Sequence, residues 1–330
     1  MLRQAFPNAT LTYCSNRFRG RREVLAEEVI ALSPHIRSTV SYYVEDSPKS
    51  KRRDFANQLG KIGLDDLLVY VPHNLTSKGA IIRDWLFFRT LGFRRSIGFA
   101  AAWRWSSTYL NSNSFQCEGD RLCGILSEHM EINRPRVCQV MSDEPWQVNL
   151  WEQWALDGHQ VVAVCPGTKM QSKRWPKEYF IDVGRQLNQR RGMRFVIIGG
   201  PQEESLCAEI QSAWRGFGFA ALGANLFQTA AIIRASACYF GNDTGSMHLA
   251  ASMGVPCVAI FSSREKIGLW YPYGSEHVVF RSDAICSPCQ LMECFSERPP
   301  CLIDITPELV ASALEAVCAR REPEHLREAL

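Results

Sequence analysis

The segment Asn242-Asp243-Thr244-Gly245-Ser246-Met247-His248-Leu249-Ala250-Ala251, continued at 252–261 by SMGVPCVAIF, decides how this chain is read. It follows the apolar run Ala237–Phe240, a strand. Ser246–Met253 then reads as a short helix and Pro256–Phe261 as the next strand. The N–H groups of Gly245, Ser246 and Met247 fall at the helix start, where no intrahelical partner exists. With the helix dipole they make an anion site. Gly245 gives the turn backbone freedom and lets a ligand approach the main chain. His248 adds a donor or a charge, and Asp243 accepts hydrogen bonds from sugar hydroxyls. A plainer reading stands beside this one: Asp243 or Thr244 caps the helix, and His248 packs on the core.

Upstream, Val161–Cys165 (VVAVC) is a strand, and CPGTKMQSKRWP at 165–176 joins it to a helix over Pro176–Arg191. Thr168 offers a hydroxyl, and Lys169, Lys173 and Arg174 offer positive charge without the glycines of a P-loop. Cations beside a diphosphate stabilise the bound ligand and the charge that builds on a leaving nucleotide. A solvated basic loop is the alternative. Phe195–Ile198 is a strand ending at Gly199-Gly200-Pro201, read as a tight turn. Further helices are expected over Glu203–Trp214, Thr229–Ala235 and Pro307–Val317. This is a doubly wound α/β pattern, which binds ligands at the carboxyl ends of its strands.

The first half alternates in the same way. Strands are expected over Ala9–Cys14, Ser38–Tyr43, Leu67–Val71 and Ser96–Phe99. Helices are expected over Arg22–Leu32, Arg52–Ile62 and Ile81–Leu91, the last closed by Gly92. The polar stretch Asp143–Gln160 reads as a linker, giving domains at 1–145 and 146–330 with a terminal helix at 307–320. A doubly wound domain opens with a central strand, yet MLRQAFP resembles the end of the helix after it. Without that strand its two neighbours keep open edges, which is costly. The expectation is that Met1 is an internal start.

With 330 residues, 46% hydrophobic and 22% charged, the chain has room for two domains and is neither disordered nor fibrous. No apolar run approaches the roughly 20 residues of a spanning helix, and the N-terminus lacks a signal-peptide core. A soluble cytoplasmic protein is expected. Residues 1–149 carry 20 basic and 15 acidic side chains, the remainder 17 and 19. This is too mild for nucleic acid, which is not expected as a partner. It suits a first half that meets an anionic partner such as a phosphorylated lipid. The 13 cysteines read mainly as free thiols. Cys286, Cys289, Cys294 and Cys301 form a weak zinc candidate, with one metal-type pair and a second that does not fit the pattern.

The segments at 161–176, VIIGGPQE at 196–203 and above all NDTGSMHLAASMGVPCVAIF at 242–261 resemble glycosyltransferase family 9, the ADP-heptose:lipopolysaccharide heptosyltransferases. Weaker matches are FPNATLTY at 6–13, DDLLVYVP at 65–72 and WLFFRTLGFRRSIGF at 85–99. The resemblance implies an α/β GT-B fold, two Rossmann-like domains facing across a cleft. It implies an inverting, metal-independent transfer of a heptose or related sugar from a nucleotide-sugar, ADP-heptose, to the inner core of lipopolysaccharide at the inner membrane face. No cofactor is implied. Asp243, Thr244, Gly245, Ser246 and His248 would contact donor sugar and diphosphate, and Thr168 and Lys173 the phosphates. Arg17, Arg19, Arg21, Arg22 and Lys49–Arg53 would suit an anionic acceptor. The family's Gly-Asp loop, whose aspartate is the expected base, has no counterpart here. Asp65 and Asp66 precede their strand, at the wrong edge of the sheet. Two rival readings follow: a donor-binding pseudoenzyme, and another GT-B enzyme such as a nucleotide-sugar epimerase.

Overall fold

The computed structural model describes residues 2–17, 26–43, 45–60, 63, 65–73, 76–111, 117–131 and 140–320. The chain divides into two compact units, residues 1–135 and 136–330.

The second unit contains α7 (Glu144–Gln153), β5 (Val161–Cys165), α8 (Lys177–Arg191), β6 (Arg194–Ile197), α9 (Glu204–Ala213), β7 (Gly218–Ala220), α10 (Leu226–Ala235), β8 (Cys238–Asn242), α11 (Gly245–Ser252), β9 (Cys257–Phe261), β10 (Val278–Arg281), α12 (Pro300–Ile303) and α13 (Pro307–Cys318). Its six strands form one parallel sheet in the order β10-β9-β8-β5-β6-β7. The first strand, β5, lies between β6 and β8, which is double winding. Every residue of β5, β8 and β9 is buried. Such strands need apolar side chains on both faces, so they read as continuous hydrophobic runs. One face packs Trp175, Phe180, Leu187, Trp214 and α13; the other packs Trp151, Tyr239, Met247 and α10. Trp175 is 1% exposed, edge-on to Phe180, and gives its indole N–H to the carbonyls of Leu302 and Ile305 at 3.1 Å each.

Two expectations are corrected. Asp143–Gln160 is not a plain linker: Asp143 caps α7 through the Trp146 N–H, and Trp151 enters the core. The unit boundary accordingly falls at 135/136. Pro176 stands at the N-cap of α8, one residue before its first turn.

The first unit contains α1 (Leu2–Ala5), β1 (Leu11–Arg17), α2 (Ala26–Ala31), β2 (Ile36–Tyr43), α3 (Pro48–Leu59), β3 (Leu67–Val69), α4 (Lys78–Leu91), β4 (Arg95–Ile97), α5 (Phe99–Asn111) and α6 (Glu118–Ser127). The sequence reading leaves out α5 and α6. Gly92 closes α4 in the left-handed conformation, as its position predicts. β1 pairs with β2, and β3 with β4, both in parallel, as two separate sheets. Among the described residues no strand joins β1 to β3. The expected start of the second helix at 22–25, the expected helix end at 61–62, and Arg19, Arg21 and Arg22 lie outside the described residues, as does the side chain of Arg17.

Candidate donor-binding site

Two loops at the carboxyl edge of the second unit's sheet build the site. One runs from the end of β5 through a 3-10 turn at Gln171–Lys173 to Trp175. The other runs from the end of β8 through Asp243 into α11. Because β5 and β8 are neighbours, their loops emerge side by side.

Asn242 joins the loops. Fully buried, it accepts the Trp175 N–H on Oδ1 at 3.1 Å and donates Nδ2–H to the Pro166 carbonyl at 2.7 Å. Sequence reasoning passes over this residue, because nothing local distinguishes a buried bridge from a strand-end turn. Lys173 lies beside Asp243, with Nζ 2.5 Å from Oδ2 and both side chains largely buried, 11% and 7% exposed. Thr168 is also buried, and its carbonyl accepts a hydrogen bond from Arg174 at 3.2 Å. Asp243 is therefore an ion-pair partner here.

Thr244 stands at the N-cap of α11, yet its side chain makes no capping hydrogen bond. Its hydroxyl bonds Ser246 Oγ at 2.9 Å and Tyr239 Oη at 3.2 Å, and Tyr239 reaches Ser246 at 3.0 Å. The simple capping role is thus not used. With the first-turn N–H groups left uncapped by side chains, the helix start is suited to an anion. Gly245 departs from expectation. It does not take a positive φ, and a Cβ there would meet nothing within 4 Å. The turn does not require glycine; the space beside it is simply open. The tighter glycine is Gly167, where a Cβ would fall 2.2 Å from the Glu203 carboxylate. Glu203 itself holds the Gly200 N–H at 2.7 Å, so Gly199-Gly200-Pro201 behaves as the tight turn its sequence predicts.

His248 is half-buried, with its ring edge-on to Trp270 at 6.4 Å. Burial holds its imidazole below the usual histidine range, Asp243 raises it and Lys173 lowers it. At neutral pH it is an uncharged donor and acceptor. A histidine neutral in the fold and protonated in the unfolded chain costs stability as pH falls through 6.5. We expect His248→Gln to flatten the loss of stability on acidification from pH 7 to 5, measured by urea unfolding. His277, also lowered by burial, retains its share of the slope. An unchanged slope would show that His248 is not desolvated. Of the other aromatics, Tyr271 packs on Phe261 at 4.9 Å, and Trp103 lies under the Lys78 ammonium in the first unit.

The zinc candidate is not assembled. Cys286 is exposed, Cys289 and Cys294 are half-buried, and Cys301, within α12, is buried in the core. Among the described residues no three His, Cys, Asp or Glu side chains stand where they could share a metal ion. The loop instead backs the Lys173 turn. Ser172 Oγ donates to the Leu291 carbonyl at 2.6 Å, the Ser172 N–H to Met292 at 3.1 Å, and the Cys294 N–H to Gln171 Oε1 at 2.9 Å. In the first unit, Asp66 receives the Gly63 N–H at 2.6 Å, just before β3.

The profile of Glycosyltransferase family 9 (heptosyltransferase) matches residues 86–298. Lipooligosaccharide heptosyltransferase 2 of Campylobacter jejuni is 28% identical over 162 residues, 47% of this chain and 50% of its own length. The chain spans about half the length of the curated relatives it matches. The glycosyl transferase family 9 structure from Veillonella parvula superposes with a TM-score of 0.70 at 17% identity, covering 97% of this chain and 91% of that one. E. coli ADP-heptose lps heptosyltransferase II superposes with a TM-score of 0.64 at 18% identity, covering 97% and 92%. These likenesses show the fold, an α/β architecture of the GT-B class. Among the described residues no helix is long and apolar enough to cross a membrane.

Proposed function

The chain belongs to glycosyltransferase family 9, the heptosyltransferases, and from that premise we propose that it transfers a heptose from a nucleotide-sugar to the lipopolysaccharide core. The observation that carries this reading is the buried Lys173–Asp243 pair set against the uncapped start of α11, in a loop pair tied by Asn242. The second unit holds the donor. Its diphosphate lies against the N–H groups of Gly245, Ser246 and Met247, with Lys173 and Thr168 beside it. Neutral His248 and Asp243 meet the sugar. Positive charge and fixed N–H dipoles stabilise the leaving nucleoside diphosphate as the glycosidic bond to phosphate breaks. The nucleotide is ADP, as in the name of the E. coli structural neighbour. The first unit binds the acceptor, and the transfer inverts the anomeric centre without a metal, at the cytoplasmic face of the inner membrane.

Inverting transfer also needs a base to take the acceptor hydroxyl's proton. Among the described residues none is assigned that role.

The test of function uses protein from its native source, ADP-heptose, and lipopolysaccharide lacking its heptoses. The expected result is ADP release that depends on acceptor, with one heptose added to it. A changed sugar formed without acceptor would mean epimerisation. Nucleotide binding without turnover would mean a donor-binding protein. Either outcome would overturn the transferase reading.

A further inference from the structure

Helix α4 faces solvent with the wrong residues for a soluble surface. Its buried side chain is Ile81. On the side turned outward, Ile82, Trp85 and Leu86 are 48%, 42% and 51% exposed. Their spacing places them on one stripe. Trp103 of α5, 39% exposed, continues the stripe through Lys78, whose ammonium stands 5.0 Å from the Trp103 ring centre. The rim is basic. Arg89 lies over the Trp85 ring at 5.7 Å, and Arg83, Arg94 and Arg95 are exposed nearby in sequence. Residues 78–95 carry five basic side chains and one acidic, Asp84, which is occupied by Arg83 and the Tyr70 hydroxyl. The neighbouring α3 adds Lys49, Lys51, Arg52 and Arg53, and Arg52 donates to the Thr90 carbonyl of α4 at 3.0 Å.

We propose that the outer face of α4 docks this unit on an anionic lipid bilayer. Indole and aliphatic side chains enter the boundary between headgroups and acyl chains, while the long basic side chains lie along the surface and meet lipid phosphates. Charge complementarity selects the occupant: the rim is nearly all positive, and a bilayer rich in phosphatidylglycerol supplies dense negative charge. Apolar side chains of this size, grouped at helical spacing, suit a soft apolar layer better than the solvated chain of an acidic protein. The proposal stands independently of the donor site, so failure of one leaves the other untouched.

The experiment is co-sedimentation of the full chain with phosphatidylcholine vesicles, with and without phosphatidylglycerol. The expected result is binding to the mixed vesicles alone, weakened by high salt. I82S/W85S/L86S should reduce the bound fraction at least about fivefold, and R83E/R89E by a similar factor, with circular dichroism and ADP affinity unchanged. Because the apolar residues are already exposed, these variants are expected to fold. Absence of wild-type binding to the mixed vesicles, or wild-type binding by the triple variant, would overturn the proposal. A wild-type dimer that the triple variant breaks, with no change on vesicles, would assign the face to a second copy. Retention on immobilised polyglutamate without vesicle binding would assign it to an acidic protein. Either result would overturn the proposal.

Discussion

Lys173→Ala is expected to lower stability and nucleoside-diphosphate affinity together. The ammonium lies 2.5 Å from Asp243 with both side chains nearly out of solvent. Removing one partner strands the other charge where water cannot reach it, at a cost of about 3 kcal/mol. For a domain of this size that is a fall of about 10 °C in Tm. The proposed phosphate contact is lost as well, so ADP affinity should fall at least about tenfold, equivalent to about 1.4 kcal/mol. Stability and binding separate in a double variant. Lys173→Met with Asp243→Leu removes both buried charges and should recover much of the stability, since apolar replacement of a buried pair is often neutral or better. ADP affinity should stay low. Differential scanning calorimetry and isothermal titration measure the two effects. A single variant unchanged in both would show the pair to be incidental.

Asn242→Ala is expected to cost about 3 kcal/mol, although the residue need not touch a ligand. Its amide satisfies one backbone N–H and one carbonyl, each buried between the loops, at 3.1 and 2.7 Å. Alanine leaves both without a partner. Asn242→Asp keeps an acceptor for Trp175 but sets a carboxylate oxygen against the Pro166 carbonyl, and should also destabilise the fold. Since Asn242 aligns the two loops, both variants should weaken ADP binding, through a site whose parts no longer register. Urea unfolding with and without ADP separates the effects. A loss below about 1 kcal/mol would mean the bridge is not buried as described.

The second unit was legible because its strands are buried on both faces. VVAVC and CVAIF are short apolar runs bounded by turn residues, which favours buried strands over helix, and β5 spans the expected residues. The helix after Asp243 was located to within one residue at each end, since its strand, turn and glycine are consecutive in sequence. What escaped sequence reading depends on distance along the chain. Lys173 and Asp243 are 70 residues apart, and their pairing exists only once β5 and β8 lie side by side. Asn242 was visible as part of a motif but not as a bridge to Pro166, 76 residues away. Local polarity misled the reading of α7: Pro145 and the polar residues around it look like a linker, but Trp146, Leu150 and Trp151 turn toward the core. In α5, FAAAWRWSSTYLN lacks a clean polar face, so its helical period is obscured. Cysteine spacing offers a single metal-type pair, and the fold does not extend it to a metal site among the described residues. The Cys286–Cys301 loop follows hydrogen bonds to Gln171 and Ser172, and these carry Cys286 to solvent while Cys301 is buried.

The two loops at the edge of β5 and β8 are proposed to form a nucleoside-diphosphate site. Hydrogen–deuterium exchange of the protein with and without ADP tests it most directly. ADP should slow exchange mainly at residues 166–175 and 243–249, and this protection should be reduced in Lys173→Ala at the same ADP concentration. Protection in another part of the chain with these segments unchanged would contradict it.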